Sequence, residues 1–97
     1  MITEIAILNI KQNQSEAFLK SFAIAEKIIA SAKGYISHDL QKCMEQENKF
    51  LLLVKWRTLE NHTEGFRKSE AYQDWKNLLH QYYDPFPEVE HYGQARF

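Results

Sequence analysis

The sequence has little of what several protein classes require. Its one cysteine, Cys43, cannot form a disulfide within the chain and leaves no thiol pair for redox chemistry. No apolar run reaches the ~18 residues that a membrane-spanning helix needs. The first residues do not resemble a signal peptide, because Glu4 interrupts their apolar stretch. We therefore expect a cytoplasmic protein with no membrane partner.

Concentrated charge and cofactor motifs are also missing. The net charge is −1, and lysine and arginine are scattered rather than clustered, which argues against a nucleic-acid partner. The sequence contains no glycine-rich phosphate loop, no dinucleotide fingerprint and no G-x-S-x-G elbow. Its four histidines are not spaced as metal ligands. We expect no metal and no cofactor.

What remains is the composition of an ordinary globular protein. The chain has 97 residues, of which 44% are apolar and 26% charged. This length predicts a single domain, residues 1–97, with one core. Cys43 is more typical of a small strand residue than of a nucleophile.

The first half of the chain predicts a strand, a helix and a hairpin. Residues 2–10 alternate as a strand, with Ile5 and Ile7 on one face. Asn13 and Glu16 are spaced as a capping box for the helix that follows, and Gly34 is suited to its C-terminal end. Residues 35–44 and 50–56 are predicted strands, joined by a polar turn at 45–48. The apolar stripe of the helix consists of Phe18, Phe22, Ala25, Ile29 and Ala32.

The second half predicts a helix in two pieces and a last strand. Thr58 and Ser69 are suitable N-caps, and the second piece extends to about Tyr82. Residues 84–87 (DPFP) end it, because proline cannot continue a helix. Residues 89–95 are the predicted final strand. The order β-α-β-β-α-β is that of a ferredoxin-like α+β fold, with an antiparallel sheet and helices on one face.

The third strand indicates a second copy of the chain. The sequence FLLLVKW, residues 50–56, is apolar on nearly every position. Such a strand is covered on both faces, and a chain this small has helix enough for only one. We therefore predict a homodimer in which a second copy covers the other face.

The polar residues of the later segments leave alternatives open. His38 lies between Ile36 and Leu40 on one strand face, so it is either a hydrogen-bonded core histidine or a catalyst. His62 and Phe66 share a helix face next to Arg67, either as plain helix surface or as one wall of a site. Gly65 favours the second interpretation, because glycine inside a helix marks a break or a close approach. His80, by its position, suits a cation near a helix C-terminus.

Three segments resemble a known family. They are GYISHDLQKC (34–43), WRTLENHTEGFRKSEAYQDW (56–75) and LLHQYYDPFPEVEHY (78–92). Together they resemble the antibiotic biosynthesis monooxygenase family of small dimeric α+β barrel proteins. The resemblance implies a homodimer with a pocket between sheet and helices in each subunit. Positions that match the family pattern are His38, His62, Phe66, Arg67, Trp75, His80 and His91.

The resemblance implies oxidation of a phenolic, quinol-like or enolisable small molecule by dioxygen, without metal or flavin. Catalysis would then need a base, with His62 and His38 as candidates, and Arg67 to pair with the substrate anion. The predicted substrate-binding residues are Trp56, Phe66, Trp75, His80, His91 and Asn9.

Two other functions stay open. The first is a small-ligand-binding module that has no catalytic activity, since one fold hosts many functions. The second is haem handling, because haem-degrading relatives use a strand asparagine, which Asn9 could match. They also use a histidine ligand on the long helix, and Trp75 occupies that position here.

Overall fold

A four-stranded antiparallel sheet with helices on one face organises the protein. The computed structural model describes residues 1–96. The strands lie in the order β2-β3-β1-β4. Their bounds are β1 Ile2–Asn9, β2 Tyr35–Lys42, β3 Lys49–Trp56 and β4 Val89–Tyr92. The helices are α1 Ser15–Ala30, a π-helix Asn61–Phe66, α2 Glu70–Leu79 and a 3₁₀ turn His80–Tyr82. The predicted ferredoxin-like fold is therefore confirmed.

Because successive side chains of a strand point to opposite faces, every second side chain of β1 and β3 points towards the helices. Ala6 and Leu8 of β1 and Leu52 and Val54 of β3 are buried on this face. The predicted helix stripe meets them, since four of its members are buried in α1 and Ala32 packs at the edge of the cluster. The buried members are Phe18, Phe22, Ala25 and Ile29.

The opposite face of the sheet carries no helix and is apolar at its centre. Ile5 pairs with Leu53 and Ile7 with Leu51 across β1 and β3. The side chain of Ile7 is 47% exposed. We call Ile5, Ile7, Leu51 and Leu53 the bare-face patch. Within residues 1–96, no helix is long and apolar enough to cross a membrane. The cytoplasmic location and the single domain stay predictions.

Several predicted boundaries were wrong. Asn13 adopts a positive φ of 65° and does not cap α1, whose N-cap is Gln14 without a side-chain hydrogen bond. The helix ends at Ala30 rather than at Gly34. Strand β2 ends at Lys42, before Met44, and β4 ends at Tyr92, short of the predicted 95. The two N-caps predicted for the second half agree with the structure. Asn61 N donates to Thr58 Oγ1, and Tyr72 N donates to Ser69 Oγ.

Gly34 is required where the chain enters β2. Its φ is +85°, and a Cβ there would lie 2.1 Å from Cγ of Asn61 and 2.6 Å from its Cβ. Asn61 cannot easily move aside, because Oδ1 accepts hydrogen bonds from Thr58 N and Oγ1. The glycine thus permits the π-helix to pack against the start of β2.

We predict that Gly34→Ala lowers the free energy of unfolding by about 2 kcal/mol or more, since left-handed backbone alone costs alanine roughly 1–2 kcal/mol. Gly93→Ala is the matched control, because nothing lies within 4 Å of the Cβ it adds. The control should stay within about 0.5 kcal/mol of the parent. Urea denaturation measures both, and equal stability of the two variants would contradict this account of Gly34.

Candidate functional site

A cavity of about 400 Å³ lies between the helix-covered face of the sheet and the segment from the π-helix to β4. Its walls combine aromatic and aliphatic side chains, and four ionisable side chains reach it. The aromatic residues are Phe66, Tyr72, Trp75, Tyr83 and Phe86. The ionisable side chains, tyrosines apart, are Glu4, His62, Arg67 and His80. Concave sites with apolar walls and a few convergent polar groups are typical of small-molecule binding.

The π-helix brings three neighbouring residues to this cavity. Arg67 N donates to the carbonyl oxygen of His62 at 3.0 Å, five residues back, which is the hydrogen bond of a widened turn. His62 and Phe66 are both buried, and Arg67 follows them at the cavity edge. The predicted break at this point is confirmed. Of the two alternatives at Gly65, a break or a close approach, the structure shows no close approach, because an added Cβ would lie 3.7 Å from its nearest neighbour, the carbonyl oxygen of Glu60.

A buried carboxyl group stands at the base of the cavity. Glu4 of β1 is only 5% exposed, and its Oε1 accepts a hydrogen bond of 3.0 Å from Trp56 Nε1. His62 Nε2 lies 3.4 Å from the same oxygen. The ring of His62 stacks on the indole of Trp56, with centroids 5.3 Å apart and planes at 17°. This one carboxyl oxygen of β1 is thus contacted by a side chain from β3 and by another from the π-helix.

His91 extends this cluster to the edge of the sheet. It is the direct cross-strand partner of Glu4 in the pairing of β1 with β4. Its Nε2 lies 2.8 Å from Nδ1 of His62, so one imidazole hydrogen-bonds the other. Glu4, Trp56, His62 and His91 form what we call the buried cluster.

Burial shifts the ionisation of the cluster towards neutral forms. Desolvation raises the pKa of Glu4, against the opposing effects of the Trp56 hydrogen bond and the Arg67 charge. The pKa of His62 falls to about 3, chiefly through desolvation and also through the charges of Arg67 and His91. Desolvation, with Arg67, lowers the pKa of His91 as well. Burial is the main cause that lowers the pKa of His80, and the charge of Lys76 lowers it further.

The structure brings most of the predicted site residues together. His62, Phe66, Arg67, Trp75 and His80 line the cavity, and Trp56 and His91 lie directly behind His62. His80 contacts the ring of Phe86 rather than solvent alone, with centroids 4.9 Å apart.

His38 and Asn9 lie elsewhere. His38 Nε2 is 2.8 Å from Glu26 Oε1 of α1, and its Nδ1 hydrogen-bonds the hydroxyl of Tyr35. These contacts tie β2 to α1 beside a separate surface depression. Asn9 ends β1, where its carbonyl oxygen accepts from Asp84 N. Neither residue lines the cavity.

The sequence interpretation missed Glu4 as a site residue. Its signal was present, because Glu4 shares the period of two with the core residues Ala6 and Leu8. A carboxyl group on a buried strand face needs a partner, and such a group is a candidate for function. Tyr83 and Phe86 were missed too, since only folding of the segment after α2 carries them over the cavity.

Residues for a metal site are absent from the part of the chain described. Within residues 1–96, no three histidine, cysteine, aspartate or glutamate side chains are grouped as metal ligands. Cys43 lies just beyond β2 and is only half-buried, with its thiol 3.6 Å from Glu45 Oε1.

Comparisons with known proteins identify the family. The model of the antibiotic biosynthesis monooxygenase family matches residues 1–78. The chain is also 55% identical to YczJ of Bacillus subtilis (strain 168), an uncharacterised protein, over 92 residues that cover 95% of this chain and 97% of YczJ. This protein belongs to the antibiotic biosynthesis monooxygenase family.

Solved structures share the fold along the whole chain. A Bordetella bronchiseptica protein, provisionally assigned as an antibiotic biosynthesis monooxygenase, is 27% identical, with a TM-score of 0.92 and coverage of 98% of this chain and 97% of its own. SnoaB of Streptomyces nogalater, a cofactor-independent oxygenase, has a TM-score of 0.83 at 14% identity and covers 99% and 94% of the two chains. At that identity, the likeness to SnoaB concerns the fold alone.

The low pKa of His62 predicts a pH-dependent stability. Between about pH 3 and the unfolded value near ~6.5, the unfolded chain binds the proton and the folded chain does not. The free energy of unfolding therefore falls on acidification, by up to ~1.4 kcal/mol per pH unit from this group, and the raised pKa of Glu4 offsets part of it. His62→Gln should flatten this dependence between pH 4 and 6. Urea denaturation across that range measures it.

Phe66→Leu is the matched control for the pH series. It removes buried volume beside His62 but titrates nothing, so it should lower stability at every pH and keep the slope of the parent. A His62→Gln variant with the slope of the parent would contradict the assignment of this pH dependence to His62.

Proposed function

We propose that this protein is a cofactor-independent monooxygenase of a small phenolic, quinol-like or enolisable compound. The substrate itself would supply all four electrons that reduce dioxygen, so no external reductant is needed. One oxygen atom would enter the substrate, converting a CH₂ group into a carbonyl, and the other would leave as water. Membership of the family and the fold shared with a cofactor-independent oxygenase support this proposal.

The main support for the monooxygenase proposal is that several ionisable groups converge on one cavity that also has aromatic walls. Glu4, His62 and Arg67 all line the same cavity as the aromatic side chains. A pocket lined by aliphatic and aromatic groups alone could bind a ligand but could not move a proton. Acid–base groups within a water-poor space are what formation of a substrate anion requires.

Arg67 suits the stabilisation of that anion. Its guanidinium is always charged and already acts electrostatically on Glu4, His62 and His91. An electron-rich oxyanion held beside it could transfer an electron to dioxygen. Phe66 and Trp75, whose ring centroids are 5.9 Å apart, would hold the aromatic body of the substrate.

His62 takes part in this proposal as a neutral imidazole. A group whose pKa is about 3 is a weak base and does not hold a substrate proton by itself at neutral pH. His38 stays outside the proposed reaction, because Glu26 and Tyr35 hold it away from the cavity.

We predict that Arg67→Gln lowers turnover at least tenfold, since a preorganised charge at a developing anion contributes strongly to catalysis. Oxygen consumption with a panel of quinols, catechols and anthrone-like phenols measures the rate. Lys68→Gln is the matched control, because the neighbouring Lys68 pairs with Glu64 at the surface instead. Its turnover should equal that of the parent.

Other outcomes separate this proposal from its rivals. Ligand binding to the cavity without oxygen consumption across the panel would favour a binding module. A shift of the Soret band during haem titration would favour haem handling. Equal loss of turnover in Arg67→Gln and Lys68→Gln would refute the role given to Arg67.

We also propose that the protein acts as a homodimer through the bare-face patch. Ile5, Ile7, Leu51 and Leu53 form an apolar surface at the centre of the sheet, on which no helix of residues 1–96 packs. A helix-free sheet face of this kind is a site of association rather than a solvated surface.

We predict that the parent protein has twice the 11.5 kDa mass of one chain and that Ile7→Glu shifts it towards the monomer. A carboxylate buried at the centre of the interface would be unpaired there. Ile24→Glu is the control, since Ile24 is 59% exposed on α1, away from the patch. Light scattering after size exclusion measures the mass, and a monomeric parent would contradict the proposal.

A further inference from the structure

The three ionisable members of the buried cluster lie in a row between the cavity and the sheet edge. Glu4 lines the cavity, His62 lies 3.4 Å from its Oε1, and His91 lies 2.8 Å beyond His62. The two contacts of His62 use its two different ring nitrogens. A neutral imidazole can accept a proton on one nitrogen while it releases one from the other.

We propose that Glu4 is the catalytic residue that receives the substrate proton, and that His62 and His91 form a proton path from it to the edge of the sheet. This inference rests on the monooxygenase function proposed above. It adds a catalytic residue and assigns the two histidines a joint role.

The two oxygens of Glu4 have different surroundings. Oε1 accepts a hydrogen bond from Trp56 Nε1 and lies 3.4 Å from His62 Nε2. Glu4 lines the cavity, and within residues 1–96 no side chain hydrogen-bonds Oε2, which is not fully buried, so Oε2 is the oxygen assigned to the bound molecule. A carboxyl group can therefore take a proton on Oε2 from the cavity side and give one from Oε1 to His62.

The transfer is balanced when Glu4 begins as a neutral carboxyl group. The substrate O–H bond breaks and an Oε2–H bond forms, while the Oε1–H proton moves to His62 Nε2. The Nδ1 proton of His62 then passes to Nε2 of His91, and His91 gives its own Nδ1 proton to water. The substrate is left as an oxyanion, and every protein group is neutral again.

The surroundings of Glu4 favour the neutral carboxyl group from which this transfer starts. Burial raises the pKa of Glu4, which favours the neutral carboxyl, and keeps His62 and His91 neutral by lowering theirs. The groups that face Glu4 come from each neighbouring element: Trp56 from β3, His62 and Arg67 from the π-helix and its end, and His91 from β4. Tyr83 adds a neutral phenol, because burial raises its pKa.

Glu4→Gln tests the path without any substrate. Trp56 Nε1–H keeps the amide oxygen of the glutamine on its own side, and that oxygen then also faces His62 Nε2. The amide oxygen accepts only, so His62 must carry its proton on Nε2 and His91 must donate from Nε2. Nitrogen-15 NMR of labelled histidines at pH 6 should show both protons on Nδ1 in the parent and on Nε2 in Glu4→Gln.

Turnover provides a second readout. Glu4→Gln should lower kcat ~100-fold or more with KM within about threefold, as expected for loss of a general base. His91→Gln, at the half-buried end of the path, should lower kcat about five- to tenfold. Glu90→Gln is the matched control, since this exposed carboxyl only contacts Tyr92, and it should leave both tautomers and turnover unchanged.

The results separate this inference from the proposed function. A parent protein with both protons on Nε2, or Glu4→Gln with the turnover of the parent, would overturn the path. Should no compound be turned over while the tautomers shift as expected, the monooxygenase function fails and the path from Glu4 through His62 to His91 stands. If Glu4→Gln does not fold, the parent tautomers and the kcat of His91→Gln decide the question.

Discussion

The structure depends on one constraint, which is that the carboxyl group of Glu4 is buried and must be hydrogen-bonded. An unpaired polar group in such a position costs several kcal/mol, and a charged one costs more. Trp56 on the next strand donates the hydrogen bond that meets this requirement, and His62 on the π-helix lies 3.4 Å from the same oxygen. His91 completes the arrangement because its register places it opposite Glu4 on β4. Loss of Glu4 would leave Trp56 Nε1 without its hydrogen-bond acceptor.

The widened turn of the π-helix positions His62 beside the buried carboxyl group of Glu4. The hydrogen bond from Arg67 N to the His62 carbonyl holds His62 over the sheet and still places Phe66 and Arg67 at the cavity. Gly65 gives this segment a low intrinsic helix propensity, Thr58 Oγ1 accepts from the first N–H of the π-helix, and Ser69 caps α2 directly after it. Local sequence thus sets the distortion that the buried cluster uses, and the cavity forms beside it.

Much of the fold could be predicted from the sequence, and less of the site. Strand alternation and the apolar stripe from Phe18 to Ile29 are strong periodic signals, so the predicted order of strands and helices agrees with the structure. The start of α1 was predicted wrongly, because Asn13 adopts a left-handed backbone conformation that the sequence pattern does not indicate. His62, His91 and Glu4 are far apart in the chain, and only strand register and the π-helix bring them together. The one available signal was a carboxyl residue on a core-facing position of β1.

The central claim is that the aromatic cavity holds an anionic substrate oxygen between Arg67 and the buried cluster. A crystal structure of the protein with a bound hydroxyquinone, the product class of the proposed reaction, tests this claim most directly. We expect the ligand ring against Phe66 and Trp75, with one oxygen within hydrogen-bonding distance of both Glu4 Oε2 and the Arg67 guanidinium. A ligand bound in the depression beside His38, or at the cavity with its oxygen turned away from Glu4 and Arg67, would contradict the account.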